Sequence, residues 1–283
     1  MQIKVLCIGD IVGRPGRRIL AEKLAGIVKE NEIDCVIANA ENAAGGSGLT
    51  PQIYEKLLKY GVNLITLGDH TYRKREILSV LENANNIVRP ANMSDFSAGK
   101  GFALYETGKG VTVGVLSLIG RVFMKPSDCP FAAADRMLSR YGKSADVIFV
   151  DMHAEATSEK IAMGWYLDGK VACVLGTHTH VVTADERVLE KGTAYITDIG
   201  MTGSHKSVLG RNKENVLKSF RTQMPFPFEI ATDDVQINGV IVRAESSGGM
   251  AAGIERIRVF SECREDTKYD GDDGRNESNN GFF

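Results

Sequence analysis

The segment Val171-Ala172-Cys173-Val174-Leu175-Gly176-Thr177-His178-Thr179-His180 joins an apolar run to two histidines. The run reads as a buried strand that stops at the mouth of a sheet. In extended backbone, residues i and i+2 point the same way. His178 and His180 are therefore expected on one side of a strand end, where neutral imidazoles make a ready pair of metal ligands. The chain has only five histidines, and this pair uses two of them.

Working outward, the same strand-then-polar pattern recurs. The run from Ile3 to Ile8 stops at Gly9-Asp10, and Cys35-Val36-Ile37-Ala38 stops at Asn39-Ala40-Glu41-Asn42. Leu64 to Leu67 stops at Gly68-Asp69-His70, and Val147 to Val150 at Asp151-Met152-His153. Helices are expected from Pro15 to Lys29, Pro51 to Tyr60 and Arg73 to Leu81. Thr50 is the N-cap of the second, Pro51 its first residue and Gly61 its stop. Strands alternating with helices predict an α/β fold with a largely parallel sheet. A further strand is expected from Val111 to Leu118. The last third differs. Phe226–Ile230, Val235–Val242 and Ile254–Val259 are expected to form antiparallel strands of a second sheet, with a turn at Ser246-Ser247-Gly248-Gly249.

In an α/β sheet, ligands bind at the carboxyl ends of the parallel strands. Asp10, Glu41, Asn42, Asp69, His70, His153, His178 and His180 are thus expected on one rim. Carboxylate, carboxamide and imidazole together suit iron, manganese or zinc. The donors are too many for one open ion and about enough for two, which together activate water for displacement at phosphorus. Taken singly, each has a plainer use: Asp10 as a helix cap, Asp69 in an Asx-turn, His153 as a core histidine. One site explains all of them at once.

Composition sets bounds. The 283 residues carry a net charge of -2, so no strongly basic surface points to long nucleic acid. Glu265 to Phe283 hold six acids and two bases, and this acidic tail (265–283) is expected to be disordered. The remainder, residues 1–264, reads as one domain. The N-terminus lacks a signal-peptide pattern and no run is long enough to span a membrane. Five scattered cysteines suit a reducing, cytoplasmic setting.

These motifs together resemble the YmdB-like group of calcineurin-type metallophosphoesterases. The resemblance rests on Gly9-Asp10-Ile11-Val12-Gly13-Arg14-Pro15-Gly16-Arg17, Ala40-Glu41-Asn42-Ala43-Ala44, Gly68-Asp69-His70-Thr71, Arg89-Pro90-Ala91-Asn92, the run from Asp151 to Lys160, Gly176 to Val181 and Thr193 to Gly203. It implies a four-layer α/β/β/α sandwich and a dinuclear centre of iron or manganese. Asp10, Glu41, Asn42 and His180 would hold one ion. Asp69, His153 and His178 would hold the other, with Glu41 bridging and His70 as general acid. It implies hydrolysis of a phosphodiester, with 2′,3′- or 3′,5′-cyclic nucleotides as substrate class, by a metal-bridging hydroxide. Asn92 is expected near the substrate, and a homo-oligomer is expected. One departure stands out: the family has Asn where this chain has Asp69. The added charge is expected to tighten metal binding and weaken attraction for phosphate. Two alternatives stay open: a metal-dependent nucleotide-binding regulator with little turnover, and a nuclease acting on short single strands.

The remaining polar motifs have plainer readings. Arg14, Arg17 and Arg18 open the first helix, either as a solvated charged face or as an anion site at the helix start. Glu155 starts a helix, His205 is a rim residue, and Trp165-Tyr166 serves packing or a subunit contact.

Overall fold

The structure is a computed structural model that describes residues 1–261; the acidic tail lies outside the described residues. In chain order the elements are β1 (Gln2–Ile8), β2 (Asp10–Ile11), α1 (Gly13–Asn31), β3 (Cys35–Asn39), α2 (Pro51–Tyr60), β4 (Leu64–Thr66), α3 (Leu78–Asn83), β5 (Ile87–Val88), β6 (Phe102–Glu106) and β7 (Thr112–Ile119). There follow α4 (Pro130–Tyr141), β8 (Val147–His153), α5 (Thr157–Tyr166), β9 (Cys173–Thr177), β10 (Arg187–Val188), β11 (Ala194–Ile196), β12 (Met201–Ser204), α6 (Lys213–Thr222), β13 (Val235–Glu245) and β14 (Ala251–Phe260).

The strands form two sheets. One runs β2-β12-β13-β1-β3-β4-β5, with β14 also paired to β13; the other runs β10-β11-β9-β8-β7-β6. Side-chain alternation then builds the layers. Leu6 and Ile8 of β1 face Ile19, Leu20 and Leu24 of α1 and Ile53 and Leu57 of α2. Their neighbours Val5 and Cys7 face the other way, against Val113, Val115, Phe149 and Leu175 of the second sheet. Leu116, Val150 and Val174 turn outward onto Ala133 and Ala134 of α4 and Met163 of α5. Three apolar seams separate four layers, α/β/β/α, as expected.

The capping of α2 is as read from the sequence. Thr50 Oγ1 accepts from the Ile53 amide at 3.4 Å, Pro51 opens the helix, and Gly61 closes it at a φ of +108°.

Three expectations need correction. The second sheet comes from the middle of the chain, not the last third. β13 and β14 instead complete the first sheet, with β13 antiparallel to β1. The reason is burial: β13 hides Ile237 and Ile241 on the helix side and Val240 and Val242 between the sheets, so it belongs inside a sheet. Phe226–Ile230 forms no strand and makes only one isolated bridge, Arg211 to Ile230. Pro225 and Pro227 remove the amide donors that a ladder needs. The helix expected from Arg73 is a 3₁₀ turn at Arg75–Ile77 followed by α3.

Candidate metal centre

The carboxyl ends of β1, β3 and β4 from one sheet meet those of β8 and β9 from the other. Glu41, Asp69, His153 and His178 each present a ligand atom there, all within 4.8 Å of one another. His153 Nε2 lies 3.2 Å from Glu41 Oε1, 3.1 Å from Asp69 Oδ1 and 3.1 Å from His178 Nδ1. A side chain at Gly68 would collide with the His153 ring and with Glu41, so the close approach depends on glycine there.

A second group adjoins the first. The Asn42 amide nitrogen lies 3.2 Å from His180 Nε2, 3.5 Å from Asp10 Oδ1 and 3.1 Å from Glu41 Oε1. Glu41 Oε1 thus touches both groups. A half-turn of the Asn42 amide would put its oxygen, a donor for hard cations, in the same place. His70 sits over the pair. Its backbone amide donates to Glu41 Oε2 at 3.1 Å, and its Nδ1 lies 2.8 Å from the end of the Asn42 amide that bears Oδ1. Its Nε2 stands 3.7 Å from Asp69 Oδ2.

Hydrogen bonds behind the cluster settle which ring nitrogens carry lone pairs. Thr177 Oγ1 gives its single proton to Asp151 Oδ1 at 2.6 Å, so it accepts from His153 Nδ1 at 2.8 Å. His180 Nδ1 donates to the Leu209 carbonyl at 3.2 Å. His178 Nε2 faces the Glu155 carboxylate as an ion-pair contact, 3.2 Å from Oε2. In each ring the other nitrogen then turns a lone pair toward the carboxylates. Carboxylate and imidazole lone pairs converging in a buried space repel unless a proton or a cation lies among them. The donor set therefore fits a metal ion.

In the metal-free chain the proton goes to His153. Burial pulls its pKa down, but Glu41, Asp69 and Asp10 overcome this and hold it well above the ordinary histidine value. Burial works against Glu41 and Asp69 as well, and the charge on His153 lowers both. Burial and the His153 charge push His178 down to about 4. Burial raises Asp10 and lowers His180.

A family model described as YmdB-like protein matches residues 6–257. The chain belongs to the YmdB-like family. A 2′,3′-cyclic-nucleotide 2′-phosphodiesterase of Bacillus subtilis (strain 168) is 44% identical over 257 residues, covering 91% of this chain and 97% of that protein. A crystal structure of a novel phosphatase from Mycoplasma pneumoniae is 36% identical with a TM-score of 0.86, covering 92% of this chain and 94% of that one. A Staphylococcus aureus structure described as a candidate 5′-nucleotidase is 15% identical with a TM-score of 0.60, covering 93% of this chain and 55% of that one. It shares the fold, a four-layer α/β/β/α sandwich of the calcineurin-like type.

Within this YmdB-like chain, three readings change. His178 and His180 do not continue an extended strand. β9 ends at Thr177, and both histidines have left-handed backbone, with φ of +93° and +63°. Such φ values are uncommon outside glycine and carry a backbone cost. The turn, not strand alternation, sends the two rings to different groups. Glu155 is more than a helix start, because it orients His178. Asn92 is fully buried, its amide donating to the Ile119 and Asp128 carbonyls at 2.7 and 2.9 Å and its oxygen accepting from the Ile119 amide at 2.8 Å. It ties two loops together and has no surface left for a substrate. Of the arginines, Arg17 is buried with Nη1 on the Ala43 carbonyl, and Arg18 pairs with Glu22. Among the described residues no helix is long and apolar enough to cross a membrane.

The strained turn is clamped by Asp198. Its carboxylate accepts from Thr179 Oγ1 at 2.6 Å, the Thr179 amide at 3.2 Å, the Gly200 amide at 2.7 Å and Lys160 Nζ at 2.7 Å. Both side chains of the Lys160–Asp198 pair are 1% exposed. Removing one partner leaves a buried, uncompensated charge, so Lys160→Ala should cost about 3–5 kcal/mol in denaturant unfolding at neutral pH. A loss below about 1 kcal/mol would mean that water reaches Asp198.

Metal-free protein should also show a signed pH dependence. The raised His153 contributes stability that is complete below its unfolded pKa of about 6.5 and is lost as pH climbs through its folded value. The lowered His178 acts oppositely, between about 4 and about 6.5. Chemical unfolding against pH should therefore show stability declining on the alkaline side, and His153→Asn should flatten that decline. An undiminished decline in the variant would assign it to another group.

Proposed function

We propose that the chain is a metal-dependent phosphodiesterase acting on small phosphodiesters, 2′,3′-cyclic nucleotides foremost. The observation that carries this is the pair of adjoining donor groups sharing Glu41 at the meeting of the two sheets. Asp10, Asn42 and His180 would hold one ion; Asp69, His153 and His178 the other, with Glu41 between them. Iron or manganese suits this mixed oxygen and nitrogen set best, and zinc shares it. When bound, such ions activate water and take up charge on the phosphoryl oxygens. The name of the Bacillus subtilis relative supports the substrate class.

The chain's own residues supply the proton and the orientation. With the Asn42 oxygen turned toward an ion, the amide nitrogen stands beside His70 and donates to Nδ1, which leaves the ring proton on Nε2 for the substrate side. As water adds at phosphorus and the bond to the leaving oxygen breaks, His70 Nε2 donates the proton that the leaving alkoxide takes up. Glu155, Thr177–Asp151 and the Leu209 carbonyl keep three imidazoles turned toward the cluster. Asp69 adds a negative charge where the substrate's own charge must arrive.

His70→Ala should lower kcat on 2′,3′-cyclic AMP by about 10²–10⁴-fold with metal content unchanged by elemental analysis. Full activity in this variant would remove His70 from the mechanism. For Asp69→Asn the expected result is looser metal binding with a lower KM, read by metal titration and steady-state kinetics. If neither quantity moves, the charge at this position has no bearing on the site.

A further inference from the structure

A cavity of about 560 Å³ opens directly beside the candidate metal centre. That size lies within the roughly 300–1,000 Å³ of small-ligand clefts. His180 and Leu209 both line it, and the His180 ring is the one held between Asn42 and the Leu209 carbonyl. The cavity therefore adjoins the metal centre, with the His180 ring as the wall they share.

The strand register explains its chemistry. On β13 and β14 the helix-side positions are Ile237, Ile257 and Val259. The alternate positions, Gln236, Asn238, Arg256 and Arg258, fall on the opposite face, where Asn238 pairs across the ladder with Arg258. They meet His205, Val182 and Met201 there. Asn238 Nδ2 contacts His205 Nε2 at 2.9 Å, which leaves the other ring nitrogen of His205 for a ligand. Arg256 is already neutralised by Glu186 at 2.8 Å, so the cavity is not simply an anion trap. Arg258 carries its guanidinium over the Phe260 ring, 5.2 Å from the centroid.

We infer that this cavity holds the nucleoside half of the substrate. The inference rests on the phosphodiesterase reading and adds to it the part of the molecule beyond phosphorus. A carboxamide, an imidazole and a guanidinium face, set among Val181, Val182, Met201 and Leu209, match a base with a polar edge and flat apolar faces. The phosphodiester lies at the metal centre on one side of His180, and the base and ribose extend past His205 on the other. The preference is for a substrate bearing a base over a bare cyclic phosphate.

The test uses the full-length, metal-loaded protein with Arg258→Ala and Gln236→Leu. Arg258 is exposed, so its truncation leaves the core intact even if Gln236→Leu does not fold. Adenosine, which lacks phosphate, is titrated by calorimetry. Initial rates are compared on 2′,3′-cyclic AMP and on glycerol 1,2-cyclic phosphate, which lacks a base. Each variant should weaken adenosine binding about tenfold and lower the ratio of the two kcat/KM values by a similar factor. If both readouts stay at wild-type levels in the folded variants, the inference is overturned. Binding of inorganic phosphate through Arg258, with no binding of adenosine, also overturns it. If adenosine binding depends on these residues while no diester is cleaved, the nucleoside site stands and the phosphodiesterase reading falls.

Discussion

The buried Lys160–Asp198 pair holds the piece of backbone on which the site depends. Left-handed φ values at His178 and His180 cost energy that neither imidazole recovers by itself. Asp198 offsets that cost by gathering the amide and hydroxyl of Thr179 and the amide of Gly200 around one carboxylate. Lys160 makes the charge tolerable in a place water does not reach. The lysine comes from α5 on the outer face of the second sheet, and Gly176 lets β9 pass close to it, since a side chain there would strike Lys160 and the Thr197 carbonyl. Helix, strand and turn are thereby locked in one arrangement.

A second buried carboxylate does the same between the sheets. Asp151 accepts from Asn39 at 3.1 Å and Thr66 at 2.5 Å, which belong to the first sheet, and from Thr177 at 2.6 Å in its own. Its position fixes the separation of the sheets at the end where their ligands meet, and through Thr177 it fixes the ring of His153. Burial raises its pKa above the usual carboxylate range, and the three donors work against that rise. The network is costly in an apolar seam and is retained where two sheets must present donors to one point.

How much of this was legible in the sequence follows from what each signal measures. Alternation and caps report local structure, so β1, β3, β4, β8, β9 and α2 could be read directly. Strand ends report where polar residues go, so Asp10, Glu41, Asn42, Asp69, His70, His153, His178 and His180 could be assembled before any coordinates. Sheet membership is a long-range choice, and β13 looks equally suited to either sheet until β1 is seen beside it. The turn at His178 was hidden because nothing in Thr-His-Thr-His asks for left-handed backbone; the demand comes from Asp198 and from Asp10, which accepts from the His178 amide at 3.2 Å. Glu155 was missed because a carboxylate in Ala-Glu-Ala-Thr-Ser-Glu reads as helix-start chemistry. A signal was present in its distance of two residues from His153, a spacing that brings it round to the same rim. Asn92 was over-read because a short polar motif after a strand marks loop anchors as often as ligand contacts.

The orienting bonds have a consequence for how the fold and the site share stability. Thr177, Leu209 and Glu155 prevent His153, His180 and His178 from turning their lone pairs away from the carboxylates. The chain therefore folds into a state whose centre is electrostatically unfavourable until something positive enters. A proton on His153 is one answer, and a cation is the other; they compete for the same lone pairs. A cation entering the cluster would have to displace that proton, so its apparent affinity would rise with pH. A cation that binds the folded chain and not the unfolded one also stabilises it by mass action. The clamps at Asp198 and Asp151 are what make this competition possible, because a looser frame would relieve the repulsion by letting the rings rotate.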